Sequence, residues 1–396
     1  MNKIKTASVP RVEVVDALRG IAVMAILIIH SIEHFHFPIY PDKAIQPEWL
    51  NTLDAVVHNV VFSLIAGKAY AIFALLFGFT FYVQFTNQQS RGSDFSWRFV
   101  WRLLLLTLFA TLNAAFYPAG DVLLLFSVTG LSLVLVRHMR NKVVFAIAIV
   151  CLMQPVELFY FARSIASESF TLPNLAVGKL FGIVREGIKS GDWGVFLIEN
   201  ITTGQKASLF WAINAGRFVQ TIGLFLTGFL IGKKQLFVHS KANNKFWIKL
   251  LIICALLFGV LYPLKVEWYN NAPSVAIRGS IGTAIDMWQK LAFTFIIVAS
   301  FVIGYYNSGL KKHTKNLKLY GKMSLTNYIS QSMIGVLVLF PIGLHLAPYL
   351  GFTASLIFAF MAISLQIYFC KLWLKKHKRG PLEHLWGKAT WIGRKR

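Results

Sequence analysis

Ionisable residues flank the first apolar run of the chain at both ends. Asp16 and Arg19 precede the run, in the string Asp16-Ala-Leu-Arg-Gly20, and His30 and His34 follow it. At 100° per residue, these side chains fall within roughly 100° of arc on one helix face. Arg19 can pair with Asp16 or bind a phosphate group, and a histidine can accept a proton near neutral pH. We therefore take Asp16 and His30 as candidate catalytic residues and Arg19 as a candidate substrate-binding residue.

The separation of these groups matches the thickness of a bilayer. A rise of 1.5 Å per residue places Asp16 about 27 Å from His34, close to the thickness of the hydrocarbon core. Charged groups inside a membrane point into the protein and mark functional sites by default. The alternative is structural: Asp16 and Arg19 form an i, i+3 pair at the interface, and the histidines lie in the headgroup region.

The composition is that of a polytopic α-helical membrane protein. Of 396 residues, 56% are hydrophobic and 14% are charged, and the mean hydropathy is +0.59. A formal net charge of +24 would suggest nucleic acid as the partner of a soluble protein. Here the basic residues lie between apolar runs, which favours membrane lipids as partners and excludes nucleic acid. We predict one integral membrane domain over residues 1–396.

The hydropathy pattern predicts an all-α bundle of about ten transmembrane helices. Proposed inside segments carry 28 Lys and Arg residues, and proposed outside segments carry 8. This asymmetry predicts that both termini are cytoplasmic, in a bacterial inner membrane, which requires an even number of crossings. The ten apolar runs lie at about 17–36, 68–88, 97–117, 121–137, 142–163, 207–232, 247–266, 285–306, 323–344 and 353–374.

Three segments are predicted to lie outside the spans. Residues 53–66 are predicted to form an outer-surface or re-entrant helix, because a further span would break the parity. The outer loop at about 164–206 is predicted to hold an interfacial amphipathic helix. The basic tail at about 375–396, with Pro381 at a helix start and Glu383 in its first turn, is predicted to form an amphipathic helix on anionic lipid.

Arg217 is the residue least expected inside an apolar run. It lies about ten residues into the sixth run, where a charge costs about 3 kcal/mol or more unless it is paired or hydrated. We predict that it borders a polar cavity shared with the first helix and binds substrate. Lys68, at the outer end of the second run, is a candidate to snorkel or to bind an anion. Asp121 opens the fourth run, and helix capping alone explains an aspartate at that position. Asp121 is also a candidate substrate-binding residue.

A polar stripe enters the ninth run from the cytoplasmic side. Ser324, Asn327, Tyr328 and Gln331 follow an i, i+3, i+4, i+7 spacing. Asn327, Tyr328 and Gln331 are candidate substrate-binding residues, able to donate hydrogen bonds to a developing oxyanion. Hydrogen bonding between helices is the alternative use of each side chain.

The sequence predicts no metal centre. The string His30-Ser-Ile-Glu-His34 matches the inverted zinc-protease pattern, but the match is short and no carboxylate ligand follows in a suitable context. Cys151, Cys254 and Cys370 are scattered through the apolar runs, so they predict neither a zinc site nor a disulfide framework.

Five short motifs follow one another along the whole chain. They are Asp16-Ala-Leu-Arg-Gly20, Gly67-Lys68 before Ala74-Leu-Leu-Phe-Gly78, Gly120-Asp121-Val-Leu, Gly321-Lys-Met-Ser-Leu-Thr-Asn-Tyr328 and Gly380-Pro-Leu-Glu-His-Leu-Trp386. The series resembles the YeiB-like family of bacterial inner-membrane proteins. That family is similar to the transmembrane acyltransferase superfamily, which includes the lysosomal heparan glucosaminide acetyltransferase and bacterial polysaccharide acyltransferases.

The resemblance implies a bundle of ten or so helices that uses cytoplasmic acyl-CoA to modify an extracytoplasmic glycan or lipid acceptor. Acyl-CoA would be the donor substrate. Two positions differ from the family pattern: His30 stands where asparagine is common, and Asn113 stands where several members have histidine. Either the histidine base lies on the first helix in this chain, or neither residue is catalytic.

Two functions fit the sequence. An acyltransferase would use Arg19 and nearby basic loops for the phosphates of coenzyme A, and His30 as the base for an acceptor hydroxyl or amine. A permease or exporter of a small anionic compound would instead line its pathway with Arg217 and the polar face of the first helix. The sequence contains no apparent two-fold hydropathy repeat, which favours the acyltransferase.

Overall fold

All regular structure in the described residues of the computed structural model is helical, in agreement with the predicted all-α fold. The described residues are 10–44, 46–117 and 121–392, without the side chain of His34, so Gly120 of the third motif and the end of the predicted tail lie outside them. The α-helices in this part of the chain are α1 (Glu13–Ile29), α2 (Glu48–Ile65), α3 (Lys68–Gln89), α4 (Ser96–Phe116), α5 (Val122–Thr129), α6 (Leu131–Val136), α7 (Asn141–Leu152), α8 (Pro155–Ala166), α9 (Val177–Lys189), α10 (Trp193–Glu199), α11 (Gln205–Asn214), α12 (Arg217–Lys233), α13 (Lys241–Asn271), α14 (Val275–Asn307), α15 (Lys315–Lys322), α16 (Ser324–Leu339), α17 (Phe352–Lys376) and α18 (Pro381–Thr390).

The helices are those of a multi-pass membrane protein. Within the described residues, six helical segments are long and apolar enough to cross a membrane, and eight if each of two bent pairs counts as one span. The prediction of ten spans is therefore not reproduced. The two remaining predicted spans correspond to α5 with α6 and to α16. The 16 residues of α16 extend only about 24 Å, less than the roughly 30 Å of a hydrocarbon core.

Two of the predicted spans are bent rather than straight. The fifth bends by 47° between α7 and α8, where Pro155, which has no backbone N–H, starts the second half. The sixth bends by 77° before α12. Gly216 has a φ of +67° at this bend, a left-handed conformation that glycine adopts without strain. Arg217 is consequently the first residue of α12, not a residue in the middle of a straight span.

Segments outside the predicted spans differ in part from expectation. Residues 53–65 are helical, within α2. The predicted outer loop contains the 13-residue helix α9, and the chain is helical again from Trp193. The tail helix α18 starts at Pro381 as predicted. It packs on α4, because Trp386 Nε1 donates to the Arg102 carbonyl (3.2 Å) and Trp101 Nε1 to the Ala389 carbonyl (2.9 Å). It is therefore part of the bundle and not a helix that contacts lipid alone.

Two motif glycines allow α1 to approach α15 closely. A Cβ atom on Gly20 would lie 2.2 Å from the Leu317 carbonyl oxygen, and one on Gly321 would lie 1.9 Å from the Asp16 carbonyl oxygen. No other residue type fits without moving a helix backbone. This contact fixes the start of α1, with Asp16 and Arg19, beside the chain segment that leads into α16.

Candidate functional site

A cavity of about 680 Å³ opens at the end of the bundle that carries the N-terminal half of α1 and the tail helix α18. Glu383 is the one acidic residue among its described lining residues. We call it the basic cavity, because six cationic residues line it: Arg11, Arg19, Arg91, Arg102, Lys322 and Arg379. Its apolar part is formed by Phe73, Phe77, Phe81, Phe95, Phe99 and Leu103. A ligand that fits this lining carries both negative charge and an apolar portion.

Arg19 is held in place at the cavity by two side chains. Its guanidinium donates to Asp16 Oδ1 at 3.2 Å and to Thr80 Oγ1 at 2.8 Å, and Arg11 Nε donates to Asp16 Oδ2 at 2.6 Å. The structural alternative for Asp16 and Arg19, an i, i+3 pair, is therefore formed. Asp16 lies 14 residues before His30, about 21 Å along the helix, so the structure does not bring these two candidate catalytic residues together.

The carboxylate of Glu383 is occupied by the start of α16. Its Oε1 accepts hydrogen bonds from the backbone N–H groups of Leu325 (2.7 Å) and Thr326 (3.1 Å), and its Oε2 accepts one from Thr326 Oγ1 (2.6 Å). These bonds satisfy donors that a helix N-terminus leaves free, and the helix dipole favours the negative charge there. Glu383 is therefore held at the start of α16, and it supplies the one negative charge among the described residues that line the basic cavity.

A second polar group lies inside the bundle, beyond the basic cavity along α16. We call it the buried polar cluster; it comprises His30, Asn113, Tyr117, Asp121, Tyr328 and Ser332, all of which are less than 9% exposed. Asp121 Oδ1 accepts hydrogen bonds from Asn113 Nδ2 and from the Tyr328 hydroxyl, both at 3.1 Å. Ser332 Oγ donates to Asn113 Oδ1 at 2.8 Å. Hydrogen bonds thus join α4, α16 and the start of α5 around one carboxylate.

His30 contacts this cluster through its ring. It stacks on Tyr117 with a centroid distance of 4.5 Å, and it meets Tyr328 edge-on at 6.2 Å. His30 opens a π-helical turn, His30–His34, which continues α1. Such turns are frequent at functional sites. The two positions at which the chain differs from the family pattern, His30 and Asn113, therefore belong to the same cluster.

Asp121 does more than cap α5. It accepts a hydrogen bond from the backbone N–H of Leu123 at 3.1 Å, so the capping role is confirmed. The same oxygen atom also accepts from Asn113 and Tyr328. Asp121 Oδ2 is buried and has no hydrogen-bond partner among residues 10–44, 46–117 and 121–392. One carboxylate oxygen is thus available to a ligand.

The polar stripe of α16 divides between two environments. Tyr328 faces the buried polar cluster. Asn327 Nδ2 instead donates to the Tyr320 carbonyl at 3.1 Å and contacts Cys370 Sγ at 3.4 Å, so Asn327 joins α16 to α15 and α17. Gln331 is fully buried, and neither its Oε1 nor its Nε2 has a hydrogen-bond partner in the described part of the chain. Gln331 therefore has hydrogen-bonding capacity to offer, whereas Asn327 has little.

Arg217 is enclosed by aromatic rings. Its guanidinium carbon lies 4.3 Å from the ring centroid of Trp211 and 5.0 Å from that of Tyr70, and such stacking stabilises a cation in an apolar setting. Glu33, Tyr117 and Asp286 lie within electrostatic range of the guanidinium. The arginine therefore faces the interior of the bundle, toward the end of the first helix.

Lys68 lies among further charges at the same end. Its Nζ donates to the Ser63 carbonyl at 2.7 Å, and its side chain is buried. Lys265 and Lys290 both pair with Asp286, at 2.6 and 2.5 Å. Lys290 follows Asp286 at the i, i+4 spacing of neighbours on one helix face, and Lys265 is an additional partner from α13. These cations are thus already occupied by protein groups.

Sequence reasoning missed several residues of both sites. Arg91, Arg102 and Arg379 were not named as site residues, because their meeting depends on how distant helices pack. The i, i+4 spacing of Asn113 and Tyr117 at the end of an apolar run was a usable signal for the buried polar cluster. Among the described residues, which exclude the His34 side chain, there is no group of three His, Cys, Asp or Glu side chains placed to hold a metal ion.

Comparisons with known proteins give relatives along nearly the whole chain. The chain is 24% identical to the uncharacterized protein YxaH of Bacillus subtilis (strain 168), over 96% of this chain and 94% of the relative. It is also 24% identical to the uncharacterized protein YeiB of Escherichia coli (strain K12), over 95% of each chain. A family profile described as "Protein of unknown function (DUF418)" matches residues 231–393. No solved structure gives a significant match. The resemblance to YeiB-like proteins is thus confirmed.

Proposed function

We propose that this YeiB-like membrane protein is an acyltransferase, which takes an acyl group from acyl-CoA at the basic cavity and passes it to a hydroxyl or amine at the buried polar cluster. The observation that carries the proposal is the basic cavity, because six cationic side chains there adjoin an apolar lining. The ligand expected for such a surface is an amphipathic anion. Acyl-CoA is an amphipathic anion, and the resemblance to transmembrane acyltransferases favours it over other ligands of this class.

The basic cavity suits the phosphate groups of coenzyme A. Guanidinium groups bind phosphate through paired, charge-assisted hydrogen bonds, and the cavity contains five arginine residues. Arg19 is already oriented by Asp16 and Thr80, so little side-chain freedom is lost when a ligand binds. Arg91 and Arg379 are exposed at the rim, where they can meet the more distant phosphate.

The length of the donor matches the distance between the two sites. His30 lies 11 residues after Arg19 on the same helix, about 16 Å away, which is comparable to the pantetheine arm of coenzyme A. In the proposed reaction, His30 accepts the proton of the acceptor while the acceptor oxygen or nitrogen attacks the thioester carbonyl. The carbon–sulfur bond then breaks, and the coenzyme A thiolate leaves and is protonated. Gln331 and the second amide hydrogen of Asn113 are the proposed donors to the oxyanion, while Tyr328 holds Asp121.

The proposed orientation places the basic cavity in the cytoplasm. The Lys and Arg excess in the loops at this end supports that orientation. In a variant without the three native cysteines, Lys43→Cys should react with an impermeant thiol reagent added outside intact cells, and Lys315→Cys should not. The reverse labelling pattern would contradict both the orientation and the use of cytoplasmic acyl-CoA.

The acyltransferase proposal is tested by the release of coenzyme A. Protein purified into nanodiscs is incubated with acyl-CoA thioesters of increasing chain length, and the free thiol is measured with and without a membrane extract as acceptor. We expect acceptor-dependent release by the natural protein. A variant with Arg19, Arg91 and Arg379 replaced by Ala should require a higher donor concentration. If no thioester is bound or consumed under these conditions, the proposal is wrong.

One observation favours a permease or exporter as a second candidate. Transporters bind their cargo where discontinuous helices meet inside the membrane, and this chain has two bent spans. Arg217 lies at one of the bends and would contact an anionic cargo. Uptake or efflux of labelled organic anions by proteoliposomes, abolished by Arg217→Leu and unaffected by His30→Ala, would favour this function over acyl transfer.

A further inference from the structure

The two bent spans meet at their bends. A Cβ atom on Gly216 would lie 3.1 Å from Gln154 Oε1 and 3.2 Å from Glu157 Oε1, so both side chains reach the bend before α12. Gln154 lies at the bend between α7 and α8, immediately before Pro155. Both bends contain a left-handed residue, with a φ of 57° at Gln154 and 67° at Gly216. Because a left-handed glutamine is strained, the surrounding structure must hold this bend in place.

The meeting point lies at membrane depth. Gln154 follows the start of α7 at Asn141 by 13 residues, and Gly216 precedes the end of α12 at Lys233 by 17 residues. At 1.5 Å per residue, these positions are about 20 Å and 26 Å from the basic end of a hydrocarbon core roughly 30 Å thick. Irregular backbone is tolerated at such depth only where it is buried in protein or lines a hydrated cavity.

Polar atoms at this point lack partners. Gln154 is fully buried, and neither its Oε1 nor its Nε2 has a hydrogen-bond partner in the described ranges. Glu157 is 6% exposed, its Oε2 also has no partner there, and no cationic side chain of the described residues pairs with it. An unsatisfied polar group inside a membrane costs several kcal/mol. Such a group in a native protein implies an ordered water molecule, an ion or another ligand.

The chemistry of the available groups selects a cation. Glu157 supplies one negative charge, which excludes an anion and balances a single positive charge. Gln154 supplies an amide oxygen. At the end of α7, the Leu152 carbonyl accepts from Trp288 Nε1, whereas the carbonyls of Val150 and Cys151 lose their helical donors at the bend. Carbonyls of this kind, at the negative end of a helix, coordinate Na⁺ in proteins with broken membrane helices. Protonation of Glu157 alone would remove its charge but would leave both amide atoms of Gln154 without partners.

We propose that a monovalent cation such as Na⁺ binds between Gln154 and Glu157, where the two bent spans meet, and holds the bends together. The carboxylate of Glu157, the amide oxygen of Gln154 and backbone carbonyls of the α7 terminus are its ligands, completed by water. This inference is independent of acyl transfer, because it concerns neither the basic cavity nor the buried polar cluster. A ligand that binds only the folded protein raises the unfolding temperature in proportion to the logarithm of its concentration.

The test uses the full-length protein in nanodiscs, with Na⁺, K⁺ or Li⁺ replacing choline at constant ionic strength. We expect Na⁺ to raise the midpoint of thermal unfolding by several degrees relative to choline. Glu157→Gln should abolish that rise even if its own midpoint is lower, because the measured quantity is the difference between cations. Glu168→Gln, at an exposed acid in the loop after α8, is the matched control and should retain the rise.

Equilibrium binding provides a second measurement that does not depend on stability. The purified natural protein should bind ²²Na⁺ saturably, near one ion per chain, and Glu157→Gln should lose at least nine-tenths of that binding. The proposal is overturned if the inorganic cations and choline give the same unfolding midpoint, if Glu157→Gln keeps the cation effect, or if only acid pH stabilises the protein, which would identify Glu157 as a proton site.

Discussion

The two ends of the bundle use their cationic residues differently. At the basic end, six cationic side chains surround an open cavity, and two of them, Arg11 and Arg19, share one carboxylate, that of Asp16. At the opposite end, Asp286 pairs with Lys265 and Lys290, and Lys68 is bound to a backbone carbonyl. A cation in an apolar span is thus a weak indicator of a binding site by itself. A cation whose charge is already paired or hydrogen-bonded by protein groups is structural. A cation without such partners is available to a ligand.

The largest expected effect concerns the buried polar cluster. His30→Ala should lower the rate of acyl transfer by roughly 10² to 10⁴, which is the usual contribution of a general base. Donor binding should change little, because the basic cavity is about 16 Å away. Single-turnover transfer from radiolabelled acyl-CoA measures the rate, with His345→Ala, an exposed histidine, as the control. Full activity in His30→Ala would show that His30 is not the general base.

The second prediction concerns stability at the end opposite the basic cavity. Asp286→Asn should destabilise the protein by about 3 kcal/mol, because it leaves Lys265 and Lys290 partly buried without their shared carboxylate. Thermal unfolding in nanodiscs measures the loss. Glu186→Gln is the control: its side chain is 71% exposed, so the pair with Arg185 contributes at most about 1 kcal/mol. Equal midpoints for Asp286→Asn and the natural protein would show that these charges are not structural.

The third prediction is a pH dependence near the start of α2. His36 lies in the loop after α1, with its Nε2 2.6 Å from Ser355 Oγ, and burial lowers its pKa to about 4. The unfolded chain, with a histidine pKa near 6.5, binds this proton first, so the free energy of unfolding falls as the pH drops from 6.5 to 4. The fall should amount to roughly 3 kcal/mol at most. As the pH falls from 6.5 to 4, the unfolding midpoint of His36→Asn should decline less steeply than that of the natural protein. Equal declines in the two proteins would exclude His36 as the cause.

Local signals in the sequence predicted a good part of this molecule. Apolar periodicity located helices at all ten predicted spans, and the i, i+3 spacing predicted the pair of Asp16 and Arg19. These features depend on residues a few positions apart. The bend of 77° was not predicted, although a glycine such as Gly216 inside an apolar run is a local sign of a weak point in a helix.

The sites depend on contacts between distant parts of the chain. Ser332 meets Asn113 across 219 positions of sequence, and Trp386 meets Arg102 across 284. Charge counts predict on which side of the membrane a segment lies, but they could not show which arginines share a cavity. The stripe on α16 was recognised from its spacing, yet only the packed neighbours reveal that Tyr328 and Asn327 face different helices.

The central claim is that the basic cavity, and not the opposite end, binds the anionic donor. Its most direct test is equilibrium binding of a non-hydrolysable acyl-CoA thioether to the natural protein, Arg19→Ala and Arg217→Ala. Loss of a charge-assisted hydrogen bond of about 1.5 to 3 kcal/mol predicts affinity at least tenfold weaker for Arg19→Ala. Affinity should stay within about twofold for Arg217→Ala, whose guanidinium stacks on Trp211. Unchanged binding in Arg19→Ala with a large loss in Arg217→Ala would contradict the account.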